Sequence, residues 1–214
     1  MRILKSSAIA SCLLLLTLTG CQNATNPEPP QTRSNISENQ TDWQKIQGEG
    51  VSLALPPEYE GGNPSTDLDE LEARLNEIGS EYAQQLQAIR QNPAAIALLA
   101  FDPNVSPEAQ ITNVNVIPVE KPSEVSLEDF TRQTAEQLST GVEVIEQGVV
   151  QVGDREMGRI VVQDEVEGTI IQPLMYFVPD TERLWITIYA TTADQFEQRL
   201  PNFEKSIKSF SSES

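Results

Sequence analysis

Leu68, Leu71, Leu75, Ile78, Tyr82, Leu86 and Ile89 recur every three or four positions, which places them on one stripe of a long helix spanning about 66–91. Thr66 is its expected N-cap. Asp67, Asp69, Glu70 and Glu72 fill the first turns, where the helix dipole favours negative charge, and Asn92-Pro93 stops the pattern. Gly79 falls mid-helix and predicts a kink or a close approach there. Ahead of this helix, 43–46 and 51–55 read as a short extended pair around Gly48 and Gly50, closed by Pro56-Pro57. Glu60-Gly61-Gly62-Asn63-Pro64 reads as a turn.

Beyond the helix, 94–101 is almost wholly apolar without alternation, as expected of a central strand covered on both faces. The next strand, 111–119, sets Asn113 and Asn115 on one face against Val114 and Val116 on the other, and Pro118 pushes its end to an edge or bulge. Ser126-x-x-Asp129 opens a second helix with Leu127, Phe130 and Leu138 turned inward and Gly141 ending it. Four strands follow, at 142–152, 156–166, 169–178 and 184–191. The connections Gly153-Asp154, Glu167-Gly168 and Pro179-Asp180 have hairpin chemistry, so the four form an antiparallel meander. A last helix starts near Ala193, is interrupted or restarted at Pro201, and offers Phe196, Leu200, Phe203, Ile207 and Phe210 to the sheet. The sum is an α+β fold, an antiparallel sheet flanked by helices.

The chain begins with a different texture. Arg2 and Lys5 precede an apolar run, 8–18, that is shorter than the roughly 20 residues a spanning helix needs. It ends in Leu18-Thr19-Gly20-Cys21, which resembles the lipobox of a bacterial lipoprotein signal. That resemblance implies cleavage after Gly20, lipid (palmitate among it) on Cys21, and a protein held to a membrane without threading it. Residues 22–42 are Asn, Thr, Pro, Gln, Ser and Glu with Ile36 as the one aliphatic, too polar to fold, and read as a tether reaching about 25 Å. The expected organisation is a signal at 1–20, a tether at 21–42 and a single α+β domain at 43–214.

Charge narrows the partners. The chain carries 14 basic and 32 acidic residues, a net −18, and loss of the signal removes Arg2 and Lys5 as well. Nucleic acid is excluded on that balance, and anionic headgroups are repelled, so the lipid must hold the protein to its membrane. Both cysteines, Cys12 and Cys21, belong to the signal region, which leaves the folded part without a thiol. Histidine is absent, which removes Ser-His-Asp and Cys-His catalysis and the usual zinc and copper sites. No cofactor is expected.

Carboxylates are the abundant acid–base groups, and Asp154, Glu156, Asp164, Glu165 and Glu167 gather along one hairpin. A carboxylate-dependent hydrolase of the glycosidase kind would need two such groups facing each other across about 5–9.5 Å, whereas solvated hairpin ends need nothing. Asp102 with Asn104, or Asp67, Asp69 and Glu70, are oxygen-rich sets of the kind calcium takes, but neither fits the EF-hand spacing. Trp185, Thr187 and Tyr189 share one face of the last strand, with Tyr176 nearby; with Asn113 and Asn115 they are the candidate ligand or partner contacts, against the alternative that they form core under a helix.

The early strand Val51-Ser52-Leu53-Ala54-Leu55 running into Pro56-Pro57, the long meander and the closing helix Phe203-Glu204-Lys205-Ser206-Ile207-Lys208-Ser209-Phe210 resemble the Mog1/PsbP-like fold and the small lipoproteins that share it. The chain departs from the photosystem members in its long helix and in Pro57-Glu58-Tyr59, where they commonly carry a Gly-Trp pair. The resemblance implies an α/β/α sandwich and a non-catalytic binding or assembly module. Its partner would be a protein at the membrane, met on the exported side: periplasm, or thylakoid lumen in a photosynthetic source.

Overall fold

The computed structural model describes residues 43–79, 86–87, 89–104, 111–122, 125–166 and 168–213; the signal, Cys21, the tether, Tyr82 and Glu167 lie outside them. Strand β1 (Gln44–Gln47) pairs antiparallel with β2 (Val51–Leu55), as the extended pair predicts. Glu60–Gly62, expected as a turn, is instead a short strand β3 paired with β4 (Leu98–Phe101). The reason is steric. A Cβ on Gly61 would come within 2.5 Å of the Leu99 carbonyl oxygen, so only glycine lets the two backbones approach this closely.

Helix α1 (Pro64–Ile78) is capped by Asn63, three residues before the expected Thr66. Asn63 Oδ1 accepts from Ser65 N at 2.9 Å, Asp67 Oδ2 accepts from Asn63 N at 2.8 Å, and Pro64 occupies the first turn, where a missing N–H costs nothing. Gly79 ends the helix where a kink was expected. Its backbone turns extended while its N–H still reaches the Leu75 carbonyl at 2.9 Å, and glycine is a poor residue to hold in a helix. Residues 86–87 and 89–91 are helical again, and Leu86 is buried with Leu71 and Leu75.

Strand β5 (Asn113–Glu120) pairs with β4 only over Asn113 to Val116, so Pro118 sits where one side of the strand is open, consistent with its missing donor. Helix α2 (Leu127–Leu138) is capped as predicted: Ser126 Oγ accepts from Asp129 N at 3.0 Å. The meander runs β6 (Glu143–Val152), β7 (Arg155–Val166), β8 (Thr169–Ile171), β9 (Leu174–Pro179) and β10 (Arg183–Ala190), all antiparallel. The single strand expected at 169–178 is broken at Gln172-Pro173, since proline cannot donate to a ladder. Helix α3 (Ala193–Lys208) runs through Pro201 without interruption, and β11 (Ser211–Ser212) then joins β2.

The larger sheet has the order β3-β4-β5-β10-β9-β7-β6, with β8 beside β7; the smaller is β1-β2-β11. Strand β4 is therefore second from the margin, not central, although all four of its residues are buried. Leu98 and Ala100 face the core beneath α3 and the small sheet, while Leu99 and Phe101 face α1. Helix α2 covers a third cluster with Ile160, Val162, Met175, Phe177 and Ile186. Thus α1 and α2 lie on one face of the large sheet, α3 and the small sheet on the other, which is the antiparallel α/β/α arrangement the pattern calls for.

Candidate functional site

Strand alternation sends Met157, Arg159 and Val161 of β7 to the α3 side, and all three are buried. Arg159 is the exception in chemistry. Its side chain is 11% exposed and makes an ion pair with Glu146 of β6, whose own side chain is 54% exposed. The guanidinium also lies beside the hydroxyl of Tyr176, its direct cross-strand neighbour on β9. Burial works against the charge on Arg159, but the ion pair with Glu146 and the neighbouring Tyr176 hydroxyl outweigh it and hold its pKa above the ordinary value. Burial likewise pushes the Tyr176 phenol up, with Arg159 pulling the other way.

These groups form the floor of an open groove of ≈ 360 Å³ between the edge of the large sheet and α3. Val150 and Val152 of β6 and Ile207 of α3 supply apolar walls, and Glu204 and Lys208 stand at the helix rim. Across the ladder from Arg159 is Gly148, where a Cβ would meet nothing within 4 Å. The space above that point is open.

The contact residues expected from sequence are divided between the two faces. Tyr189 and Trp185 are fully buried; Tyr189 stacks on Phe203 at 4.9 Å and donates to Ser206 Oγ at 3.0 Å, and Trp185 lies 6.3 Å from Phe210 with its Nε1 donating to Asp180 at 3.3 Å. Their polar tips are satisfied by α3 and by the turn between β9 and β10, so they act as core that seats α3. Thr187 between them is buried with its hydroxyl unpartnered among the described residues. Tyr176 is buried too, 6.3 Å edge-on to Tyr189, but it also lines the groove. Asn113 and Asn115 pair with Ala190 and Ile188 and so lie on the opposite face; Asn115 Nδ2 donates to Asn113 Oδ1 at 2.9 Å.

The carboxylates do not assemble. Asp154, Glu156 and Glu165 are exposed, Asp164 is half-buried, and among the described residues Asp102 is the one buried carboxylate. Its Oδ1 accepts from Asn104 N and its Oδ2 from Arg199 Nη1 at 2.8 Å, a link from the loop after β4 to α3. Asp67 is engaged by Asn63 and Thr66, and Asp69 by Arg90. No group of three metal-ligating side chains occurs among the described residues. Sequence reasoning missed Arg159, although a signal was there: it is the one basic residue inside the buried stretch from Met157 to Val162, at an inward position.

With helices on both faces of an eight-stranded antiparallel sheet and the small sheet beneath α3, the chain has the Mog1/PsbP-like fold. Cyanobacterial PsbP (CyanoP) from Synechocystis sp. PCC 6803 superposes with a TM-score of 0.53 at 13% identity, over 86% of this chain and 99% of that one. LpqN of Mycobacterium tuberculosis, described as involved in cell envelope biogenesis, gives 0.50 at 8% identity, over 87% and 100%. No protein-family model matches the sequence, and no curated protein matches it.

Proposed function

We propose that the chain is a lipid-anchored, non-catalytic binding or assembly module that works through protein–protein contacts on the exported face of a bacterial membrane. In this reading 1–20 is a cleaved signal, Cys21 carries the lipid, 21–42 is the tether and 43–214 is one folded domain. The observation that carries it is the groove over Arg159, an open, mixed apolar and charged surface beside a sheet edge. Chemistry supports the non-catalytic half: there is no histidine, Cys12 falls in the signal and Cys21 carries the lipid, and the one buried carboxylate among the described residues, Asp102, is tied to Arg199. An exported place suits a protein of LpqN's fold, since that neighbour is involved in cell envelope biogenesis.

The test is photo-crosslinking of the full chain in its native membranes, with a benzophenone side chain at Gln151 on the groove or at Glu70 on the outer side of α1. A discrete protein adduct from Gln151 and none from Glu70 is expected; matching patterns from both positions would sink the reading. The same preparation should give no turnover of generic ester, peptide, phosphate or glycoside substrates. Activity that disappears in Glu156→Gln or Asp164→Asn would establish the hydrolase instead.

A further inference from the structure

Strand β6 is a margin of the large sheet. It pairs with β7 along one side, and among the described residues no strand pairs with the other. A free edge presents N–H and C=O groups at strand spacing, which is what an incoming extended segment pairs with. A bulge between Val144 and Glu146 kinks the start of this edge, so the regular part is 146–152, directly above the groove.

Beneath that edge lies a fixed cation covered by a movable anion. Arg159 is buried on its strand with Tyr176 as cross-strand neighbour, whereas Glu146 reaches it from the groove mouth with more than half its side chain in solvent. A guanidinium offers five donors, and Glu146 and Tyr176 do not exhaust them. Gly148 leaves open space alongside, and Lys208 adds a second cation at the rim that forms no ion pair among the described residues. In a chain of net −18, the charges lining this groove balance, Arg159 and Lys208 against Glu146 and Glu204, and the buried guanidinium is the group able to recognise a carboxylate.

We propose that the groove receives an extended protein segment that adds to the free edge of β6 and places a Glu or Asp side chain on Arg159, in the position Glu146 holds in the free protein. Main-chain pairing supplies register, Val150, Val152 and Ile207 take apolar side chains, and the buried guanidinium selects the acidic one. A lysine at that position is rejected, because two cations would share one desolvated site. This rests on the protein-binding reading above and names the partner's chemistry.

Two synthetic peptides test it, acetyl-Thr-Val-Thr-Glu-Thr-Val-Thr-amide and its Gln counterpart, titrated into the full chain in detergent and read by calorimetry and backbone amide shifts. The Glu peptide should bind at least about tenfold tighter than the Gln peptide, a difference of ~1.4 kcal/mol, and shift amides within 146–152. Arg159→Gln should abolish the preference. Glu146→Gln, which removes the internal competitor, should tighten the Glu peptide; a purely structural ion pair would leave peptide affinity unchanged or reduced. Should Arg159→Gln not fold, Glu146→Gln and Lys208→Gln decide alone, the latter weakening the Glu peptide selectively. Equal affinities, absence of binding, or shifts away from β6 overturn the proposal. Crosslinks from Gln151 with peptides that do not discriminate leave the binding reading standing and remove only this inference.

Discussion

Gly158 shows how much the face under α2 depends on one missing methyl. A Cβ there would lie 2.2 Å from Thr131 Oγ1 and 2.7 Å from Phe177 Cδ2, and Thr131 is itself tied to the Leu127 carbonyl. Gly158→Ala should cost about 1–3 kcal/mol as overpacking, read from the urea midpoint; an unchanged midpoint would mean that α2 moves away freely. Tyr59 makes a second case. Burial pushes its phenol from 10.0 up to about 12, with Arg199 pulling down and Asp102 up. Between those pH values the unfolded chain has lost the proton and the folded chain has kept it, so this contribution is whole below pH 10 and drains away toward 12, on the order of a few kcal/mol in all. Tyr59→Phe should flatten that part of the alkaline stability curve, checked by denaturation at pH 9, 10.5 and 11.5. Neither effect was legible in the sequence, because Gly158 and Tyr59 look ordinary until the elements that crowd them are placed. Arg159 was closer to legible, since a lone Arg at an inward strand position must find partners.

At the level of elements, periodicity identified α1, α2, α3 and the four-part meander, because one apolar face per element is what sequence records. It misjudged boundaries wherever a single residue's backbone chemistry outweighed the pattern: Asn63 captured the start of α1, Gly79 its end, and Pro173 split a strand. Pro201 went the other way. It lies on the exposed side of α3, while Phe196, Phe203 and Ile207 anchor the helix on both sides of it, so packing holds the helix continuous despite the lost hydrogen bond. The stripe on α1 makes a direct prediction. Leu75 is 5% exposed, so Leu75→Asp should lose several kcal/mol and leave the protein unfolded or barely folded. Glu72→Ala removes a half-buried partner of Arg90 and should cost under about 1 kcal/mol. Comparable melting temperatures for the two would show that the stripe is not packed on the sheet.

For the whole molecule, the sequence could say that helices flank a sheet, but not which helix takes which face, because an amphipathic stripe is indifferent to the face it meets. The same division explains why the aromatic and asparagine residues that alternation groups as contacts end on opposite sides. How the protein is held is a separate matter from how it folds. Among the described residues no helix is long and apolar enough to cross a membrane, and the net charge of −18 opposes binding to anionic headgroups. On the proposed anchoring, Cys21 therefore carries the whole attachment, with several acyl chains making it effectively permanent where one would bind reversibly at about 0.8 kcal/mol per CH₂. Two outcomes follow for membranes washed in high salt. The wild-type chain should stay in the pellet, since screening removes repulsion and no ionic attraction exists to be broken. Cys21→Ala should appear in the supernatant or accumulate uncleaved. A Cys21→Ala chain that is cleaved normally and still sediments with the washed membranes would place the attachment in the folded domain, and would turn attention from the tether to the groove over Arg159.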